Sequence, residues 1–335
     1  MSYRESQRKC SHCAARSSSY SRQSAEAEYV EFDNTRFIRP LQQARFYRLA
    51  KRQICPEKFF TLNPQGNYRY FVDDMEKRKW GILLTPPIEL NFDIIREFYA
   101  NVMPIEDVFY SYYSFVRRRA MSFNRNSVSQ YLNHPITLQR GELCSYQKRV
   151  ASKKWRLDLV NDTLALTSNH GFFINASNQP VHFKRCDMNT KAQLHATLLL
   201  YNIKSGSHTS TIPIDIACLL YHMIKGWKIN VAQVISNEIR RISINGPSRG
   251  NKAHMTLGFL ALITGLCRKT GIDISNVATK RISSIVNEDY VLRHCVPKLA
   301  GEAAPQPQAH APPAGPVRYN EQQAYVYNWQ MIEVK

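Results

Sequence analysis

The chain has 335 residues, 44% of them hydrophobic, enough for one large or two medium domains with a true core. Lys plus Arg number 45 against 26 Asp plus Glu, a net charge of +19, so the expected partners are polyanions, nucleic acid first among them. The longest apolar run, Leu257–Cys267, is too short to span a bilayer, and most of the eight cysteines are scattered singly, which argues against a membrane protein and a disulfide scaffold.

Residues 1–34 are polar, with the run Ser17-Ser18-Ser19, and read as a disordered basic arm. Met1–Arg22 is rich in Ser and Arg and lacks an apolar stretch, so no signal peptide is expected; reduced thiols in the cytoplasm or nucleus are. From Thr35 the apolar content rises, opening a domain expected over 35–297. Phe37, Leu41, Ala44, Tyr47 and Leu49 recur at near-helical spacing among six basic residues, with Pro40 at or before the helix start. Pro86-Pro87 ends a segment. A helix is then predicted over 92–102, with Ile94, Ile95, Phe98, Tyr99 and Val102 on its apolar face. Val108–Val116 suits a strand, Arg117–Arg119 a turn and Ala120–Phe123 the return strand, after which Asn124 or Asn126 caps a short helix.

The stretch 150–179 fits helix and strand about equally, with a short strand at Gly171–Ile174. Beyond Asp187 the pattern is helical, with Leu194, Leu198 and Tyr201 on one face. Thr211 and Pro213 are read as opening a helix that stops at Gly226, and Asn230 as capping another with Val231, Val234, Ile235, Ile239 and Ile242 inward. Asn245-Gly246-Pro247 turns the chain. Leu257–Lys269 is apolar on most sides and is the predicted central buried helix, closed by Gly271. An Ala/Pro-rich linker over 298–317 and a short segment over 318–335, again with Tyr, Val and Trp, complete the chain. The fold class expected is mainly α, a helical domain with a small β-hairpin element.

Several blocks in this order resemble a known family. They are KRQICPEKFF at Lys51–Phe60, Trp80, REFYANV at Arg96–Val102, SFVRRRAMSFNRNSVSQYLN at Ser114–Asn133, IACLLYHMIKGWKINVAQVISNEI at Ile216–Ile239 and LGFLALITGLCRKTGID at Leu257–Asp273. Together they resemble the putative plant transposon protein domain family, whose members look like relatives of the gag-region proteins of Athila-type plant retrotransposons. The resemblance covers about residues 36–275, is strongest as an ordered set, and implies no established reaction. The family pattern usually places Gly where Arg118 stands; a tight turn at positive φ resists arginine.

Candidate chemistry is sparse. Phe71-Val72-Asp73-Asp74 resembles the aromatic-x-Asp-Asp turn of reverse transcriptases, but too little ordered chain precedes it for a palm, and a charged run follows where a buried strand is required. An exposed turn or helix cap is the plainer expectation. Cys10, His12 and Cys13 lack the two further ligands of a zinc knuckle. A transposase-type nuclease needs three converging acids, and Asp93, Asp107, Asp158, Asp187, Asp215, Glu238 and Asp273 show no strand context for it. Gly246–Lys252 has too few residues between its glycines for a phosphate loop, and His195 and His222 read as packing or surface residues. No catalytic residue, metal, cofactor or small-molecule substrate is inferred.

The basic positions are the candidate nucleic-acid-binding residues. Arg117, Arg118, Arg119 and Arg125 cluster at one turn beside Tyr110, Tyr112, Tyr113 and Phe123, while Lys148, Arg149, Lys153, Lys154 and Arg156 form a second patch on an expected loop. For the rings, filling the core is the commoner use. The expected function is a gag-like, non-catalytic protein that associates with itself and holds RNA or DNA electrostatically. The rivals are a transposase or nuclease fragment, and a decayed or domesticated protein-interaction module.

Overall fold

The computed structural model describes residues 31–102, 112–133, 144–152, 155–167, 171–205, 210–244, 256–274, 280–281 and 284–297. The expected arm lies almost wholly outside these residues, as do the linker at 298–317, the segment at 318–335 and the turn at 245–247.

Helix α1 (Pro40–Leu49) begins on Pro40, whose missing N–H is no loss in a first turn. Its inward face is not the one the apolar spacing suggests. Gln42, Arg45, Phe46 and Leu49 are buried, while Leu41 and Tyr47 are 49% and 63% exposed. The rotation follows from a long-range bond, since the Arg45 guanidinium donates to the Ser243 carbonyl. Strand β1 (Phe59–Phe60), helices α2 (Arg69–Lys77) and α3 (Gly81–Leu84) and strand β2 (Glu89–Leu90) follow. Phe71–Asp74 lies inside α2, neither an exposed turn nor a cap, with Phe71 fully buried. Helix α4 (Phe92–Asn101) starts as expected, where the Asn91 side chain accepts the Ile94 N–H at 2.9 Å.

Strands β3 (Tyr113–Val116) and β4 (Arg119–Ser122) form the expected antiparallel hairpin, one residue out of phase with the reading on the return side. Asn124 caps α5 (Arg125–Tyr131), accepting the Ser127 N–H at 3.0 Å. The stretch 150–179 is mixed: helices α6 (Ser145–Ser152) and α7 (Leu157–Leu164) reach into its first half and the expected short strand, β5 (Phe172–Ile174), lies in its second, before β6 (Pro180–Lys184). Helix α8 (Thr190–Leu198) runs into a π-helical turn, Leu199–Ile203. There Asn202 donates to the Lys58 and Leu83 carbonyls and accepts the Lys58 N–H, tying three segments together. Residues Thr211–Pro213, expected to open a helix, form strand β7 instead, because β6 offers them an antiparallel partner. Helix α9 (Ile214–Ile224) follows directly and ends at Gly226, which has φ +73°.

Asn230 caps α10 (Val231–Ile244), and its five expected core residues are buried. Helix α11 (Leu260–Lys269), three residues shorter at its start than expected, is buried on every side from Leu260 to Cys267. Gly271, at φ +68°, lets the Ile272 N–H return to the Cys267 carbonyl at 3.0 Å. Gly265 is small because Tyr131 crosses there: a Cβ would lie 2.1 Å from its hydroxyl. At the other end, Glu57 supplies the cap that Phe259 lacks, its carboxylate oxygens accepting the N–H groups of Ala261 and Leu262 at 3.1 Å each. Strands β8 (Lys280–Arg281) and β9 (Ile285–Val286) pair with β2 and β1, and α12 (Glu288–His294) ends the described chain.

The fold is thus mainly α, with twelve α-helices among the described residues and only short strands. Among the same residues no helix is long and apolar enough to cross a membrane. Cys218 and Cys267 are buried free thiols, as their apolar surroundings suggest, and burial pushes the pKa of each up to about 12.

Candidate nucleic-acid interface

The hairpin turn is two residues long, since Val116 pairs with Arg119. Both central residues are left-handed, Arg117 at φ 50° and Arg118 at φ 63°. That geometry matches the twist of the flanking strands but favours Gly and Asn, and each bulky residue there costs about 1–2 kcal/mol. The turn forms despite arginine at the usual glycine position, because its surroundings hold it. The Arg117 N–H donates to Glu97 Oε1 at 2.7 Å, and Glu97 Oε2 takes the Arg36 Nε at 3.0 Å with Arg117 Nε 3.5 Å away. Arg118 donates to the Asn34 carbonyl and side-chain oxygen, and Arg119 Nη1 to the Gly271 carbonyl at 2.9 Å.

Glu97 belongs to REFYANV, and the structure explains that motif. Phe98 and Tyr99 are core, whereas Glu97 and Asn101 face the hairpin. Asn101 Nδ2 donates to the carbonyls of Arg36 at 2.8 Å and Phe115 at 2.7 Å, and Ser114 Oγ to the Phe98 carbonyl at 2.7 Å. Burial pushes the Glu97 carboxyl up, opposed by the Arg117 N–H and the two guanidiniums. Helix α4 is therefore the seat of the arginine turn.

The two hairpin faces differ. Ser114, Val116, Met121 and Phe123 point inward, and Tyr112 bonds Asn237 through its hydroxyl at 3.1 Å, so two of the candidate rings serve packing. Tyr113 and Phe115 point outward at 47% and 39% exposure. Phe115 escaped the sequence reading, although its i,i+2 relation to Tyr113 is the signal that places both on one face. Tyr110 lies outside the described residues. Arg125, half-buried, opens α5 and contacts Asn126.

In the second patch, Lys148 and Arg149 are exposed on helix α6 rather than on a loop. Arg156 precedes α7 and holds Asp158 through two contacts, 2.6 and 3.0 Å. Lys153 and Lys154 lie outside the described residues. Helices α6 and α7 pack against α9, whereas the hairpin packs against α4, so the two groups of basic residues stand on different helical supports.

The profile of a family described as "Putative plant retrotransposon-related domain" matches residues 76–273, more than half of the chain. The chain belongs to this family. No curated protein and no solved structure matches it. The match begins inside α2, later than the resemblance beginning near Arg36, and closes just after α11. It takes in every block of the resemblance except Lys51–Phe60, whose Glu57 nonetheless caps the buried helix α11.

Most of the described acidic candidates of this retrotransposon-related protein are held by basic side chains, and Asp215 and Glu238 share one of them. Asp93 pairs with Arg96, Asp158 with Arg156, Asp215 with Lys204, and buried Glu238 with Arg241 and Lys204. Asp187 accepts the Gly171 N–H at 3.2 Å. Asp74 pairs with Arg78 at 3.1 Å and sits 3.5 Å from His195 Nε2. Among the described residues, no three His, Cys, Asp or Glu side chains gather as a metal cage; Asp107, Cys10, His12, Cys13 and Gly246–Lys252 lie outside them. His195 and His222 are both buried and donate from Nδ1 to carbonyls four residues back, which makes them packing residues.

Proposed function

We propose that this transposon-derived protein is gag-like and non-catalytic: it associates with itself and holds nucleic acid by charge. The observation that carries the reading is the arginine hairpin, a basic tip fixed on a buried carboxylate and flanked by outward rings, in a chain of net charge +19. Arg118 supports it best. It is exposed, and its contacts with Asn34 engage Nε and Nη2 on a side chain that carries five donors. Phosphate contacts of this kind are indifferent to sequence.

The full chain is expected to bind unrelated RNA and DNA, with log affinity falling by about 0.7–0.9 per decade of salt for each phosphate engaged. Fluorescence anisotropy across a salt series measures this, and light scattering after size exclusion should show a mass above that of one chain. Sequence-independent binding with a steep slope supports the reading. Indifference to nucleic acid at physiological salt points to a protein-interaction module, and cleavage or joining of DNA ends by the purified chain points to an enzyme.

A further inference from the structure

The outward face of the hairpin has a feature that its own stability does not require. Exposed rings on a hairpin ordinarily lie against a bulky cross-strand neighbour, and such pairs are what rings contribute to a sheet. Here Tyr113 stands opposite Ser122 and Phe115 opposite Ala120, the smallest partners available to them. The rings are two residues apart on one strand, about 6.8 Å in rise, so they project side by side, 47% and 39% exposed. The inward side chains Ser114, Val116 and Met121 do the packing. Arg118 caps the same hairpin at the turn.

Two part-exposed rings on a hairpin tipped by an exposed arginine suit a ligand that is both planar and anionic along its length. A duplex offers the anion but keeps its bases stacked inside. An unpaired strand offers both, because its bases can splay onto rings while its phosphates meet the arginine. Resting on the nucleic-acid reading above, we infer that the Tyr113–Phe115 face is a stacking platform for unpaired nucleotides, and that the hairpin distinguishes single strands from duplex.

The test uses the full chain with labelled oligouridine RNA, oligothymidine DNA and a blunt DNA duplex in fluorescence anisotropy. Threonine at both positions keeps strand preference and removes the rings. Y113T/F115T is expected to weaken binding of at least one single strand by about tenfold per ring, with little change on the duplex. Whether RNA, DNA or both lose affinity identifies the strand. As a second readout, Y113W is expected to retain single-strand affinity and to show tryptophan quenching when the strand binds. Equal losses on strand and duplex, or no loss on either strand, would overturn the platform, as would a drop in oligomeric mass with binding unchanged, which would mark the face as a contact between copies. Failure of the wild-type chain to bind any probe would instead remove the nucleic-acid reading on which it rests.

Discussion

Replacing Glu97 by alanine is expected to destabilise the fold by about 3–5 kcal/mol, the usual loss when one member of a buried charge cluster is removed. Its side chain is fully buried and serves three groups at once, the Arg36 guanidinium, the Arg117 guanidinium and the Arg117 backbone N–H. Alanine would strand two part-buried positive charges and an amide in a turn whose left-handed residues are themselves unfavourable. Burial pushes the Glu97 carboxyl up, so the ionised form is costly in the fold, yet the guanidiniums are costlier without it. Glu97→Gln, which keeps one acceptor for the turn N–H, should lose less than alanine. Denaturant unfolding followed by circular dichroism measures both. A loss below about 1 kcal/mol for alanine, the worth of an exposed pair, would mean that something other than Glu97 holds the hairpin.

The second large effect is a pH dependence centred on Glu57. This carboxyl is 3% exposed, caps α11 through two backbone N–H groups and forms no ion pair among the described residues. Burial raises its pKa from 4.5 to about 7, against the pull of the backbone donors. A folded value above the unfolded one means the fold takes up the proton more tightly. The stability contributed is fully present below about 4.5, declines as pH rises, and is gone above about 7. The wild type is therefore expected to lose about 2.5 kcal/mol relative to Glu57→Gln between about pH 5 and pH 8, since each tenfold difference in proton affinity between folded and unfolded chain is worth about 1.4 kcal/mol and a little is already lost by pH 5. Comparing the pair removes the contribution of other titrating groups. A difference that stays constant with pH would show that Glu57 is ionised throughout.

Much of the helical frame was legible because local rules and tertiary packing agree there. Asn124 and Asn230 cap the helices they precede, and α10 and α11 bury the residues their spacing nominates. Where distant partners decide, the sequence misleads. The face of α1 turns on Arg45, whose acceptor is 198 residues away, and β7 is a strand because β6 lies beside it. The arginine cluster was visible as charge but not as geometry. Its seat depends on Glu97, 20 residues earlier and inconspicuous within a helical repeat, and on Asn101, whose two acceptors lie in separate segments. Likewise, Lys148 and Arg149 read as loop because their helix carries little apolar signal.

Because Arg117 and Arg119 are engaged with Glu97 and Gly271, reversing all three arginines would disturb the hairpin as well as its charge. Arg118 separates the two best, since its contacts go to exposed Asn34 and leave the Glu97 cluster intact. The most direct measurement is thus the affinity of wild type and Arg118→Glu for single-stranded RNA across a salt series, with circular dichroism confirming that both are folded. If the turn grips phosphate, the variant binds more weakly and its log–log salt slope is shallower by about 0.7 or more, one contact's worth. Superimposable salt lines for the two proteins would place the nucleic acid elsewhere and contradict an arginine hairpin built for it.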